Sequence, residues 1–175
     1  YCICLYLWKR KQKIMRKRER EITDLKEIRS ILDSCKILHL GLSDEGQPYV
    51  VPLNFGYVLD NGILVLYLHG ATEGYKFDVI RKNPKVSFAM ECDAIPFEGK
   101  VACQYGMSYR SIMGMGKAEI VTDTDEKQLG MSILMKSQTG KDFTFNEKLV
   151  SIVNVVKITV DSYSAKKRPL PGMLH

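Results

Sequence analysis

The chain has no CxxC pair, and its five cysteines, Cys2, Cys4, Cys35, Cys92 and Cys103, are odd in number. That excludes a disulfide-stapled secreted domain and fits cytoplasmic thiol usage. No GxGxxG follows an apolar run, and no Lys-Ser/Thr pair follows Gly74, so neither a Rossmann dinucleotide fingerprint nor a P-loop is present. No apolar run reaches membrane-spanning length: Tyr1–Trp8 is the longest uncharged start, and a spanning helix needs about twenty residues. Histidine is scarce, at positions 39, 69 and 175. Cys35 and His39 are four apart, but a helix is expected to end between them. The expectation there is a buried thiol beside a strand histidine rather than a metal site. Basic charge is not spread over the chain either. Of a formal net charge of +6, residues 9–20 carry eight Lys or Arg against one acid, leaving 18 basic and 19 acidic residues elsewhere. The sequence pI of about 9.0 therefore describes a tail. Nucleic acid is disfavoured as the partner of the folded domain, and no membrane contact is expected of it.

Residues 1–14 look foreign to the rest, and Met15-Arg-Lys-Arg reads like a natural start. The order apolar-then-basic is wrong for a signal peptide. We expect an extension outside the domain over 1–14, one domain over 15–168, and a tail over 169–175. The alternative for the first segment is a truncated membrane anchor with its basic flank.

What is present is a succession of short apolar runs. Asp24 and Glu27 have capping-box spacing ahead of an apolar stripe at Leu25, Ile28, Leu32 and Cys35, which predicts a helix. Strands are predicted at 36–42, 49–58, 62–69, 85–92, 107–121 and 153–163. Pro52 stands in the second, where a proline cannot donate to a ladder, so an edge, a bulge or a ligand is expected there. Asp60-Asn61-Gly62 is a hairpin turn. Residues 93–106 read as a loop. Gly114 and Gly116 within a long strand mark a bulge or bend. A helix is expected over 122–137, ended by Gly140. Residues 164–168 read as part of a mobile basic tail. The fold class is mainly β (α+β): a six-stranded antiparallel barrel with peripheral helices.

The stretch Leu66–Phe88 carries the chemistry. An apolar run stops at His69-Gly70-Ala71-Thr72, a short basic helix follows from Glu73 to Lys82, and Asn83-Pro84 ends it. Small residues let a ligand approach the backbone, and free N–H groups at a helix start attract anions. Lys76 adds a full positive charge. In outline this is a phosphate site.

Taken in order, several pieces resemble the pyridoxamine 5′-phosphate oxidase-like flavin-binding split barrels, nearest the nitroimidazole-resistance (Nim-type) branch. They are Arg18-Glu-Arg-Glu-Ile22, Gly46-Gln-Pro-Tyr-Val-Val-Pro-Leu-Asn-Phe55 and His69-Gly-Ala-x-x-Gly-x-Lys76. Asn83-Pro-Lys-Val-Ser-Phe88, Tyr109-Arg-Ser111 and Gly116-Lys-Ala-Glu-Ile120 follow. The resemblance covers residues 16–168. It implies a homodimer with two FMN molecules at the subunit interface. Val51, Pro52, Leu53 and Asn54 would face the flavin ring; His69, Gly70, Ala71, Gly74 and Lys76 would hold the phosphate; Tyr109 and Ser111 would also reach the cofactor. The oxidase proper has Ser-Arg-Lys in its phosphate loop, where this chain has Gly74-Tyr75-Lys76. Its basic substrate-phosphate cluster near the C-terminus is not recognisable here. Both departures argue against pyridoxamine-phosphate oxidation.

The expected function is therefore an FMN-binding oxidoreductase. It would take electrons from a reduced nicotinamide and pass them to a small acceptor such as a nitroaromatic. His69 is the candidate catalytic residue, since imidazole titrates near neutrality. No other acid–base pair is evident, as suits chemistry carried by a cofactor. The alternative is a non-catalytic flavin or haem binding or storage protein of the same fold, with His39 and His69 the candidate haem contacts. Met107, Met113 and Met115 share strand parity and are expected to form a core or interface stripe.

Overall fold

The computed structural model describes residues 17–172, so the predicted extension with Cys2 and Cys4, and His175, lie outside the described residues. A 3-10 turn, Arg18–Arg20, leads into strand β1 (Glu21–Ile22) and helix α1 (Leu25–Ser34). Then come β2 (Ile37–Asp44), β3 (Gln47–Asn54), β4 (Gly56–Asp60), β5 (Ile63–Gly70) and α2 (Tyr75–Lys82). They are followed by β6 (Lys85–Phe97), β7 (Gly106–Ile120), α3 (Thr124–Thr139), α4 (Glu147–Ser151) and β8 (Asn154–Arg168).

All pairings are antiparallel, in the order β3-β2-β6-β7-β8-β5-β4, with β1 added beside β8. The two ends of that order are consecutive in sequence, separated only by Phe55. What reads as one strand over 49–58 is split there: its first half pairs with β2 and its second half with β5. The sheet thus closes on itself except for a gap where β3 parts from β5, the gap of a split barrel. Gly56 permits this closure. A Cβ at position 56 would lie 2.4 Å from the Leu134 Cα, so only glycine lets α3 press against the start of β4.

The described residues form eight strands, not six. Besides the split at Phe55, the tiny β1 pairs Glu21 with Lys166 and Ile22 with Ala165. That pairing exists because residues 164–168 are not a mobile tail but the last third of β8, laddered to β7 as well. The basic run 166–168 carries no strand signal of its own; the ladders to β1 and β7 on either side impose the extended form. Likewise β6 runs past a bulge between Cys92 and Ile95 to Phe97, so much of the predicted 93–106 loop is strand. The predicted bend in β7 is present as a register shift between Met115 and Gly116. Asn61 and Gly62 both have positive φ, 48° and 84°, as a two-residue hairpin turn requires. Asp24 caps α1 by accepting from the Lys26 N–H, but Glu27 does not complete a capping box. Its carboxylate accepts from Lys167 Nζ at 2.8 and 3.1 Å instead.

Alternate residues of the strands fill the barrel: Leu38 and Leu40, Leu66 and Leu68, Phe88 and Met90, Ile112 and Ile158. α1 adds Ile28, Ile31 and Leu32, and α2 adds Phe77, Val79 and Ile80. A smaller cluster, Tyr67, Val121, Met131, Val150 and Val155, lies under α3 and α4. The residues between face outward on β2, β3, β6 and β7. There Val50, Met113 and Met115 are 60%, 47% and 54% exposed, so the methionine stripe is surface rather than core. Among the described residues no helix is long and apolar enough to cross a membrane.

Candidate functional site

The gap in the barrel is where the predicted phosphate loop and the proline-bearing strand meet. The β4–β5 ladder ends with Gly56 opposite Tyr67. Two residues further along each strand are Asn54 and His69, at the mouth where β3 turns away to pair with β2.

β3 is an edge strand. The turn Glu45-Gly46, both at positive φ, joins it to β2 as a two-residue hairpin closed by Asp44 opposite Gln47. Hydrogen-bonded and non-hydrogen-bonded pairs alternate from there. Ser43–Pro48, Gly41–Val50, His39–Pro52 and Ile37–Asn54 are then the non-hydrogen-bonded pairs. Both prolines fall where no N–H is needed by β2. The N–H groups of Val50 and Asn54, and the carbonyls of residues 48, 50, 52 and 54, point to the open edge. The side chains of Val51 and Leu53 pack on the core, and Pro52 faces out. The backbone, not the side chains, is therefore what this strand offers a ligand.

Opposite it, β5 ends at His69 and Gly70, paired with Val155 and Asn154 of β8. The Asn154 side chain fixes the loop by donating to the Thr72 carbonyl at 2.7 Å. Gly74 caps α2 with φ +146°, a conformation L side chains rarely adopt, and no side chain caps the helix. Its first N–H groups are left to solvent or a ligand. Lys76 folds back over the loop. A Cβ at Gly70 would lie 3.0 Å from Lys76 Nζ and 2.9 Å from the Phe77 ring; one at Gly74 would lie 3.7 Å from Lys76 Nζ. The two glycines thus make the recess into which the ammonium projects, floored by the fully buried Phe77, whose ring centroid is 4.4 Å from Nζ. Lys76 makes no ion pair among the described residues. His69 Nδ1 is buried and has no hydrogen-bond partner among the described residues. Burial, then the Lys76 charge, push the His69 pKa below its ordinary value, so the imidazole is neutral at pH 7.

Three residues that hold this arrangement carry no spacing signal in the sequence. The Tyr75 hydroxyl donates to Asp44 Oδ2 at 2.8 Å, and its ring meets Tyr49 edge-on with centroids 5.0 Å apart. Lys82 Nζ donates to Asp44 Oδ1 at 3.3 Å. Asp44, Tyr75 and Lys82 thereby pin α2 to the β2–β3 hairpin and set Lys76 and the open edge around one mouth. Asp44 and Tyr75 are 31 residues apart, so only the fold reveals the contact.

Asn54, His69, Gly70, Gly74 and Lys76 converge at the mouth, with residues 51–53 forming its rim and Ala71 exposed on the loop. Tyr109 and Ser111 do not join them. His69 sits opposite Val155 on β8, whereas Ser111 sits opposite Lys166, eleven residues further along the same strand. At ~3.3 Å per residue that is roughly 36 Å of strand. Ser111 is buried, and the Tyr109 ring lies 5.6 Å from Lys166 Nζ.

A strand-edge backbone, a free ammonium in a glycine recess and an uncapped helix start together suit a phosphorylated planar ligand. The family described as pyridoxamine 5′-phosphate oxidase matches residues 24–167. The chain belongs to that family. Among solved structures it is similar to a candidate 5-nitroimidazole antibiotic resistance protein from Bacteroides thetaiotaomicron, at 34% identity over 84% of this chain and 86% of that one, with a TM-score of 0.71. The fold is also that of a flavocytochrome from Azotobacter vinelandii (20% identity, 93% and 75% covered, TM-score 0.73). It recurs in an FAD and heme binding protein from Mycobacterium smegmatis (18%, 85% and 73%, 0.72). A search of curated proteins found no significant match. The family's residues fit a flavin phosphate here on structural grounds: the Lys76 ammonium lacks a carboxylate, and a side chain at position 70 would close its recess.

Proposed function

We propose that this protein is an FMN-binding oxidoreductase that takes electrons from a reduced nicotinamide and delivers them to a small acceptor of the nitroaromatic class. The observation that carries the reading is the unpaired Lys76 ammonium in its glycine recess beside the unsatisfied Nδ1 of His69. Lys76 and the first N–H groups of α2 bind the phosphate. The open edge of β3 presents N–H and carbonyl groups to the ring, and Asn54 adds a side-chain amide at the mouth. The flavin, when bound, supplies the two-electron redox chemistry. His69 is neutral, and its partly exposed ring can take up or pass on a proton where the acceptor is reduced. Support for the acceptor class comes from the 34%-identical relative.

The same reading makes the protein a homodimer. The outward face carrying Val50, Met113 and Met115 is apolar enough to be covered by a second copy, and a flavin touched by both His69 and Tyr109 draws them from different subunits. A second reading is a flavin or haem carrier without turnover. It is favoured by His39, whose imidazole is half-exposed on the outer sheet, 3.9 Å from Glu91, and by the haem-binding names of two fold neighbours.

The test is the absorbance spectrum of the protein after FMN loading and gel filtration, followed by anaerobic addition of NADH or NADPH. Flavin bands that co-elute with a dimer, bleach with the donor and return with a nitroimidazole are expected. Retained flavin that no donor bleaches supports the carrier. A Soret band on haem titration, lost in His39→Ala, selects haem. Protein that takes up no flavin ends both flavin readings.

A further inference from the structure

Away from the mouth, two cysteines far apart in sequence come together. Cys35 is the C-terminal cap of α1, and Cys92 lies in β6 beside the bulge between Cys92 and Ile95. Cys92 stands opposite Arg110 of β7. The Arg110 guanidinium donates to Ser30 Oγ at 3.0 Å and to Ser34 Oγ at 3.4 Å, so this strand pair lies beneath the last turn of α1. Cys35 follows Ser34 directly, so the two cysteines flank the same Arg110 side chain, whose charge acts on both thiols. Cys35 is 4% exposed, Cys92 is half-buried, and Cys103 is exposed. Asp93, next to Cys92, is in the left-handed region at φ +55°, as part of the bulge.

We propose that Cys35 and Cys92 are a redox modification site, a dithiol that closes reversibly to a disulfide under hydroperoxides and ties the end of α1 to the β6 bulge. A disulfide needs its two Cβ atoms about 3.8 Å apart. Cysteines that flank one arginine side chain need only a local movement to reach that separation, and both positions can supply it. Cys35 is a junction residue in extended conformation, and Cys92 adjoins a bulge where the ladder is already interrupted. With hydrogen peroxide the partly accessible Cys92 sulfur attacks the O–O bond, gains an S–OH group and releases one water. Cys35 sulfur then attacks the Cys92 sulfur and displaces the second water. Two thiols and one peroxide give one disulfide and two waters; the sulfurs lose two electrons and the peroxide oxygens gain them.

The surroundings set the rate. Burial comes first in raising both thiols above their ordinary range, Cys35 to about 12, while the Arg110 guanidinium opposes the rise at both. The thiolate is the reactive form. Closure is therefore slow at neutral pH and quickens as pH rises, unlike that of a dedicated peroxide-reducing thiol.

Non-reducing peptide mapping of the full chain after hydrogen peroxide and alkylation tests this. Trypsin places Cys35 in residues 30–36, Cys92 in 86–100 and Cys103 in 101–110. The expected product is peptide 30–36 linked to 86–100, cleaved by dithiothreitol, and formed about tenfold or more faster at pH 9 than at pH 7. In Cys92→Ser, which keeps a small hydrogen-bonding group, Cys35 should stay reduced and become alkylated only after denaturation. Cys92 joined to Cys103, Cys92 over-oxidised while Cys35 remains a thiol, or both recovered as thiols would each overturn the proposal.

Discussion

The two ends of strand β8 both gather positive charge, and they treat it differently. Near Lys166, two cations are paired within the chain. Arg110 pairs with Asp93 and bridges Ser30 and Ser34, and Lys167 Nζ meets both oxygens of Glu27. Near Val155, Lys76 projects into a recess that no carboxylate of the described residues enters, next to an imidazole nitrogen that none of them satisfies. A cation used for structure is neutralised within the chain. A cation kept single, where glycines hold space open around it, is available to an anion. The contrast predicts that substitutions at the first end cost stability, while those at the second cost binding.

The largest effect should come where the two costs coincide. Phe77 is fully buried and also floors the Lys76 recess. Phe77→Ala should lower unfolding free energy by about 3–5 kcal/mol, read from denaturant titration, and abolish FMN retention as well. Stability lost with FMN affinity intact would show that the recess does not depend on its floor. Arg110→Ala comes next. It removes a charge-assisted bond to Asp93 and two serine bonds, and should cost about 2–3 kcal/mol. Asp93 still reaches water, which holds the value to that range. FMN affinity in that variant should change little if its folded fraction is accounted for; a large affinity loss would erase the distinction between the ends.

The same contrast explains what the sequence could tell. Glycine and lysine spacing in 69–76 is local, so the recess was legible, as were the Asn61-Gly62 turn and the edge strand marked by Pro52. The missed features depend on residues distant in sequence. Phe55 splits a strand because Gly56 must meet Leu134. Residues 164–168 form a strand because β1 and β7 flank them. Tyr75 matters because Asp44 lies across the gap. Tyr109 and Ser111 were legible as strand residues, but their distance from the recess is a property of register along β8.

Lys76→Ala sharpens the comparison from the other side. FMN binding should weaken by ~1.5–3 kcal/mol, the scale of a charge-assisted hydrogen bond. Unfolding free energy should stay within about 0.5 kcal/mol of the parent, because the ammonium has no ion pair to lose. A drop in stability equal to the drop in affinity would mean that Lys76 is a structural cation after all.

The smallest effect concerns His69 and pH. Its pKa in the folded chain lies below the ordinary value, through burial first and the Lys76 charge second. Between the lowered folded pKa and the unfolded one, about 6.5, the unfolded chain binds more protons. Stability therefore rises with pH through that window and is lost as pH falls through it, the reverse of a histidine that gains an acidic partner. His69→Gln carries no titrating group, so the loss of stability as pH falls below about 6.5 should be shallower than in the parent. Lys76→Ala should shrink the same slope without removing it, because burial remains. FMN should act in the opposite sense: its phosphate neutralises the Lys76 charge that disfavours the imidazolium, so loaded protein should show a higher His69 pKa than apoprotein by NMR titration. Identical titrations in the two forms would place the phosphate away from the recess and leave Lys76 facing solvent.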